Sequence, residues 1–184
     1  LQREYNRDFE RIRELKRWTA ENNKKLIMLA NSGCINFCSG QTFHDNMVSH
    51  EAEISETLNI TDWMPYICWN YFKDRGNWAA VLQNSWIRPE DIHHYENYFD
   101  VVKLATRMHS LPGMVIQSYS KGAYHGNLLD LFEPGFGPAF APYIIDNKKF
   151  PDDWFETTAS CKKNCHECSY CKEVLEKLLV NTEV

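Results

Sequence analysis

Cys161, Cys165, Cys168 and Cys171 fall within eleven residues, separated by three, two and two others. Thiolates are soft ligands, and gaps this short let one loop wrap a metal centre, so the group reads as an iron–sulfur or zinc site. Iron–sulfur comes first, because a structural zinc site more often splits its ligands into two pairs across a longer loop. Unligated reduced thiols or an incidental CxxC redox pair are the plain alternative. The spacing Cys161-x3-Cys165-x2-Cys168 also matches the radical S-adenosylmethionine motif, but that motif lies early in a barrel, and thirteen residues follow Cys171. A structural or electron-transferring centre fits better.

A second group is Cys34-x3-Cys38, followed by His44 and His50. Two thiols do not complete a site. Cys68 is the candidate third ligand, although beside Ile67 and Trp69 it reads equally well as a core residue. A fourth ligand would come from a histidine or from another stretch of chain. Seven cysteines in all, an odd number without a visible secretory signal, argue against a disulfide framework and for a cytoplasmic setting.

These thiols must be positioned by elements, and the hydrophobic pattern supplies them. Tyr5, Phe9, Ile12, Leu15 and Trp18 recur at helical spacing through residues 3–21, giving one buried stripe. Lys25–Asn31 is an apolar run of strand length that ends in Asn-Ser-Gly turn chemistry, so Cys34 and Cys38 lie just past a strand exit. Glu51–Asn59 reads as a short helix, and 63–72 is an aromatic region without a clear assignment. Trp78–Gln83 is the second strand candidate. A helix starts at Ile87–Asp91, with Pro89 in its first turn, and runs to about Tyr98. Asp100–Ala105 is a third, buried strand, and Leu111–Lys121 is the helix after it. Strands alternating with helices indicate a parallel sheet. Short helices are expected at Asn127–Phe132 and, amphipathic, at Lys172–Leu179.

On this plan the polar residues at the strand exits share one face with Cys34 and Cys38. Asn84, Arg88, Glu90 and Asp91 follow the second strand, and Lys103 and Arg107 lie on or after the third. His44, Arg88, Glu90, Lys103 and Arg107 are the candidate catalytic residues. Arg88 and Arg107 suit a carboxylate or phosphate, with ion pairing of Arg88 to Glu90 or Asp91 as the alternative. His93 and His94 read as surface.

Composition sets the outer limits. The chain has 184 residues, 43% of them hydrophobic and 24% charged, which is a globular composition. A net charge of -5 and a pI near 5.8 offer no overall footprint for nucleic acid or an anionic membrane. The longest apolar stretches fall well short of the roughly 20 residues of a membrane helix.

Several stretches together resemble one family. They are Asn31-Ser-Gly-Cys34-x3-Cys38 with His44 and His50, Ile87-Arg-Pro-Glu-Asp91 with Tyr95 and Lys103-Leu-Ala-Thr-Arg107, Tyr124-His-Gly-Asn-Leu-Leu-Asp130, and the closing cysteines. They look like the C-terminal half of the collagenase-like peptidase family U thirty-two, whose relatives include iron–sulfur proteins of oxygen-independent ubiquinone and RNA hydroxylation. The resemblance implies a (β/α)8-type barrel, a 4Fe-4S cluster with Cys34 and Cys38 among its ligands, and redox chemistry without molecular oxygen. A barrel of that kind needs about 250 residues, so the resemblance also implies an N-terminal half or second subunit that completes it, and an electron donor.

The expected fold is thus α/β. Residues 1–121 form the C-terminal part of a barrel with parallel strands, 122–160 a loop-rich extension, and 161–184 a four-cysteine metal-binding tail. The four tail cysteines are an addition to the usual family pattern. No HExxH motif or nucleophile–base pair supports peptidase chemistry. The expected function is an iron–sulfur oxidoreductase or hydroxylase. The alternative is a non-catalytic subunit with structural zinc, and a nucleic-acid-modifying enzyme is disfavoured by the acidic balance.

Overall fold

The computed structural model describes residues 1–50, 67–107 and 109–183. The helix expected at Glu51–Asn59 lies outside them. Helix α1 (Phe9–Glu21) starts where the Asp8 side chain accepts the Arg11 backbone N–H at 3.0 Å, an N-cap that satisfies one of the orphan donors of the first turn. Its expected stripe is only partly buried: Ile12 is inaccessible, whereas Trp18 is 53% exposed.

Strand β1 (Ile27–Leu29) leads to the first cysteine loop, then to α2 (Gln41–Ser49), α3 (Ile67–Phe72) and α4 (Ala80–Gln83). Strand β2 (Val101–Lys103) returns parallel to β1, with Met28 opposite Val102. A hydrogen bond from Ala30 N–H to the Lys103 carbonyl extends the pairing at the exit. The expected strand at Trp78–Gln83 is instead a 3-10 turn at Arg75–Asn77 followed by α4. Its apolar run of five is too short for periodicity to separate strand from buried helix. The indoles decide it. Trp78 Nε1 donates to the Phe72 carbonyl at 2.7 Å and Trp86 Nε1 to the Val81 carbonyl at 2.6 Å, so the backbone coils to meet the rings. The chain then passes beside β1, with Ile87 N–H donating to the Ala30 carbonyl.

A 3-10 segment, Pro89–Tyr95, stands where a longer helix was expected. β2 is also not the buried strand its sequence promised, since Val101 and Val102 are 45% and 38% exposed. Helix α5 (Pro112–Lys121) starts one residue after the expected Leu111, with Pro112 in its first turn and Gly122 at φ 62° closing its end in the left-handed conformation.

Beyond it come α6 (Gly137–Phe140), β3 (Tyr143–Ile145), α7 (Trp154–Ala159), α8 (Tyr170–Leu178) and β4 (Leu179–Asn181). β4 pairs antiparallel with β3, and α8 buries Val174, Leu175 and Leu178, so the last residues are integral to the fold. One apolar core gathers Ile12, Met28, Ile87, Tyr95, Val115 and Tyr119 around the parallel pair. A larger one joins Trp78, Trp86, Phe132, Phe140, Trp154 and Leu175. Among the described residues, no helix is long and apolar enough to cross a membrane.

Candidate metal centre

The first cysteine loop begins at a β1 exit fixed by one buried amide. Asn31 Nδ2 donates to the carbonyls of Ala105 and Leu131, at 2.7 and 3.0 Å, and its Oδ1 accepts the Ala105 N–H at 2.6 Å. This ties the exits of both parallel strands to the 3-10 turn at Leu128–Leu131. Gly33 follows, so close to the 133–134 segment that a Cβ would lie 2.2 Å from the Pro134 carbonyl oxygen.

Two more asparagines then hold the loop. Asn84 Nδ2 donates to the Gly33 carbonyl at 3.1 Å, its Oδ1 accepts the Asn36 N–H, and Asn36 Nδ2 donates to the Gln83 carbonyl at 2.8 Å. Ser85 Oγ donates to Asn36 Oδ1 at 2.7 Å. Cys34 and Cys38 are therefore presented, half-buried, on a loop laced by side-chain amides to the chain after α4. Cys68, on α3, packs against the same core as Ile35 of that loop. Burial pushes its thiol up to about 11, and the neighbouring Cys34 and Cys38 add to the shift.

The second group is built differently. Cys161, Cys165 and Cys168 are exposed, and Cys171 is half-buried on α8. Burial pushes the Cys171 thiol up to about 11; Arg7 acts against this, while the other three cysteines act with it. Cys161 Sγ accepts the backbone N–H of Lys163 at 3.3 Å, with Lys163 in the left-handed region at φ 60°.

Clustered thiols, a backbone N–H that donates to one of them and a nearby cation suit a site that holds a metal by thiolates. Among the described residues, no three His, Cys, Asp or Glu side chains already stand at metal-holding distance. Loading would draw the thiols together, as is usual where metal binding and local folding are coupled.

The raised thiols have a measurable consequence in the metal-free protein. Their lower thiolate fraction near neutral pH outweighs the greater nucleophilicity of each thiolate, so timed alkylation at pH 8 should find Cys68 and Cys171 about tenfold slower than an unstructured cysteine. Rates equal to the unstructured thiol would contradict their burial. Since these groups titrate higher folded than unfolded, their contribution to stability is complete below about pH 9 and is lost as pH rises towards about 11.

The structure joins the two cysteine groups, which the spacing of residues did not reveal. Lys163 Nζ donates to the Glu4 carbonyl at 2.6 Å and lies 5.2 Å from the ring centroid of Phe37, inside the first loop, and 5.9 Å from that of Tyr5. Arg7 sits behind them. Its guanidinium donates to the carbonyls of Leu82 and Trp86 and lies 4.8 and 5.3 Å from the rings of Trp86 and Trp154. Arg7, Lys163 and Asn36 were missed in the sequence, where their only hint was closeness to cysteines; Asn84 was named there as a polar residue sharing a face with Cys34 and Cys38, and the structure makes it a tie to that loop.

The anticipated catalytic residues divide. Arg88 Nε pairs with Glu90 Oε2 at 3.4 Å, and Glu90 Oε1 accepts the Tyr124 N–H and Asn147 Nδ2 at 2.7 and 2.8 Å. That pair therefore ties the 89–95 turn to the later chain. Lys103 and Arg107 are exposed at the β2 exit, which parallel pairing puts at the same end as Cys34. His44 is half-buried on α2, following the cysteine loop. His93 is exposed as expected, while His94 stacks on Phe155 with centroids 3.6 Å apart.

The chain is similar along nearly its whole length to a protein of Methanocaldococcus jannaschii named an uncharacterized protease, with 32% identity over 178 residues, 95% of this chain and 51% of that one. It is also 29% identical over 110 residues to the isoleucine–tRNA ligase of Exiguobacterium sibiricum, covering 59% of this chain and 12% of the ligase. The chain thus spans about half the length of the first relative and a small part of the second. No protein-family profile matches it, and no solved structure does.

Proposed function

We propose that the chain is part of an iron–sulfur protein akin to peptidase family U thirty-two, working in the cytoplasm in oxygen-independent hydroxylation or a related redox modification. The observation that carries this reading is the placement of Cys34 and Cys38 at the exit of a parallel strand, on a loop held by Asn36 and Asn84, with Cys68 packed against the same core as Ile35 of that loop. The protease-named archaeal relative supports the peptidase-like kinship. In this reading the three thiols hold a 4Fe-4S cluster, which supplies one-electron chemistry when bound. The asparagines keep the loop from shifting, and Lys103 and Arg107 offer positive charge to an anionic group on the substrate.

The exposed apolar side chains of Ile27, Val101 and Val102 suit coverage by further strands, which an N-terminal half or second subunit would supply to complete a barrel. An external electron donor is then required.

Iron and acid-labile sulfide should appear in matching amounts in protein purified without oxygen, together with visible absorption that fades on oxidation. Replacing Cys34 and Cys38 by serine should remove that iron; iron content unchanged in this variant would overturn the assignment. A second reading, structural zinc in a non-catalytic subunit, is favoured by the exposed tail thiols and the N–H bond onto Cys161. Colourless protein with one equivalent of zinc, bound only through the tail, would select it.

A further inference from the structure

The geometry points to a second thiolate metal site at Cys161, Cys165, Cys168 and Cys171 whose occupancy holds the Cys34–Cys38 loop in place through Lys163. The inference rests on the reading that the tail thiols take a metal, and extends it to what that metal does.

Three features lead there. First, only three non-glycine residues of the described chain have positive φ, and two of them, Phe37 at 52° and Lys163 at 60°, lie one inside each cysteine loop. Left-handed backbone is costly for such residues and persists where the surroundings impose it. These two meet in space, the Lys163 ammonium against the Phe37 ring.

Second, Lys163 is connected at both ends. Its backbone N–H is committed to Cys161 Sγ, while its side chain reaches Glu4, Tyr5 and Phe37. Whatever fixes Cys161 therefore fixes the lever that rests on the first loop. That thiol is exposed and accepts the Lys163 N–H; four-fold ligation would immobilise it.

Third, charge is provided for. Four thiolates around a divalent zinc, or around an oxidised 4Fe-4S cluster, carry a net charge of about -2. The Arg7 guanidinium is bonded only to backbone carbonyls among the hydrogen bonds it makes and packs on Trp154, which itself stacks on Tyr170 beside Cys171, with centroids 6.1 Å apart. It stands as a counter-cation behind the tail group, with Lys163 in front.

The test loads the tail alone. In the full chain carrying Cys34→Ser, Cys38→Ser and Cys68→Ser, zinc should still bind at one equivalent. Hydrogen exchange of the amides of residues 34–38 should then slow by about tenfold. Adding Lys163→Met should leave the zinc bound but abolish that slowing. Arg7→Gln should weaken zinc binding by about tenfold, and Arg7→Lys by less.

Zinc bound without any change in exchange at 34–38 would overturn the inference while leaving the tail as a metal site. Loss of all binding in the triple variant would overturn the underlying reading too, because it would mean that the tail holds no metal by itself. If the triple variant fails to fold, Cys34→Ser with Cys38→Ser alone gives the same comparison. Reconstitution of that variant with iron and sulfide separates the two metal chemistries: a coloured product assigns the tail to a cluster, and a colourless product that still takes one equivalent of zinc assigns it to zinc.

Discussion

Gly33→Ala should lower the unfolding free energy by about 3 kcal/mol or more, since overpacking against a rigid neighbour is among the costly classes of substitution. The added methyl would sit 2.2 Å from the Pro134 carbonyl oxygen and 3.1 Å from Phe132 Cβ. Neither obstacle is the end of a flexible side chain, so the backbone itself must move. That backbone is held on both sides: Gly33 N–H donates to the Glu133 carbonyl, and the Gly33 carbonyl accepts from Asn84. In a chain of this size the loss corresponds to a fall in Tm of roughly 6–12 °C, readable by circular dichroism. A fall of under about 2 °C would mean that the strand exit yields freely, and that Cys34 is not positioned by it.

Asn31→Ala should cost about 3–5 kcal/mol, measured by denaturant unfolding, because three backbone groups lose a buried partner at once. Those groups are the N–H and carbonyl of Ala105 and the carbonyl of Leu131. Asn31→Asp should be no milder, since the carboxylate keeps the acceptor, loses both donors and adds a buried charge. A cost below about 1 kcal/mol would show that water replaces the amide. The Gly33 and Asn31 effects should not sum in the double variant, as both act on one strand exit.

How much of this was legible in the sequence depends on whether the cause was local. α5 was readable to within a residue because Pro112 and Gly122 mark its ends by their own backbone restrictions. The amphipathic α8 and the strand before Asn31 were readable by period and length. Both cysteine groups were visible from spacing alone.

What escaped notice depends on partners distant in sequence. The helical course of Ala80–Gln83 is set by indole N–H groups seeking carbonyls, which no hydrophobic pattern encodes. Glu90 looked like a catalytic acid until its two amide partners, at Tyr124 and Asn147, placed it as a tie between segments. The contact between the two cysteine loops depends on Lys163 reaching Phe37, and a lysine between two cysteines gives no sign of where its amine will rest.

The bond between Lys163 and Glu4 spans 159 positions, which gives the order of synthesis a structural meaning. On the ribosome, Cys34, Cys38 and Cys68 emerge long before Lys163 does, and N-terminal portions of a chain begin to fold as they appear. During that interval the first cysteine loop has its asparagine lacing within reach but not its lysine strap. The growing chain therefore passes through a stage in which this loop is open on the side that the finished protein closes. The arrival of Lys163, seven residues ahead of α8, ends that stage.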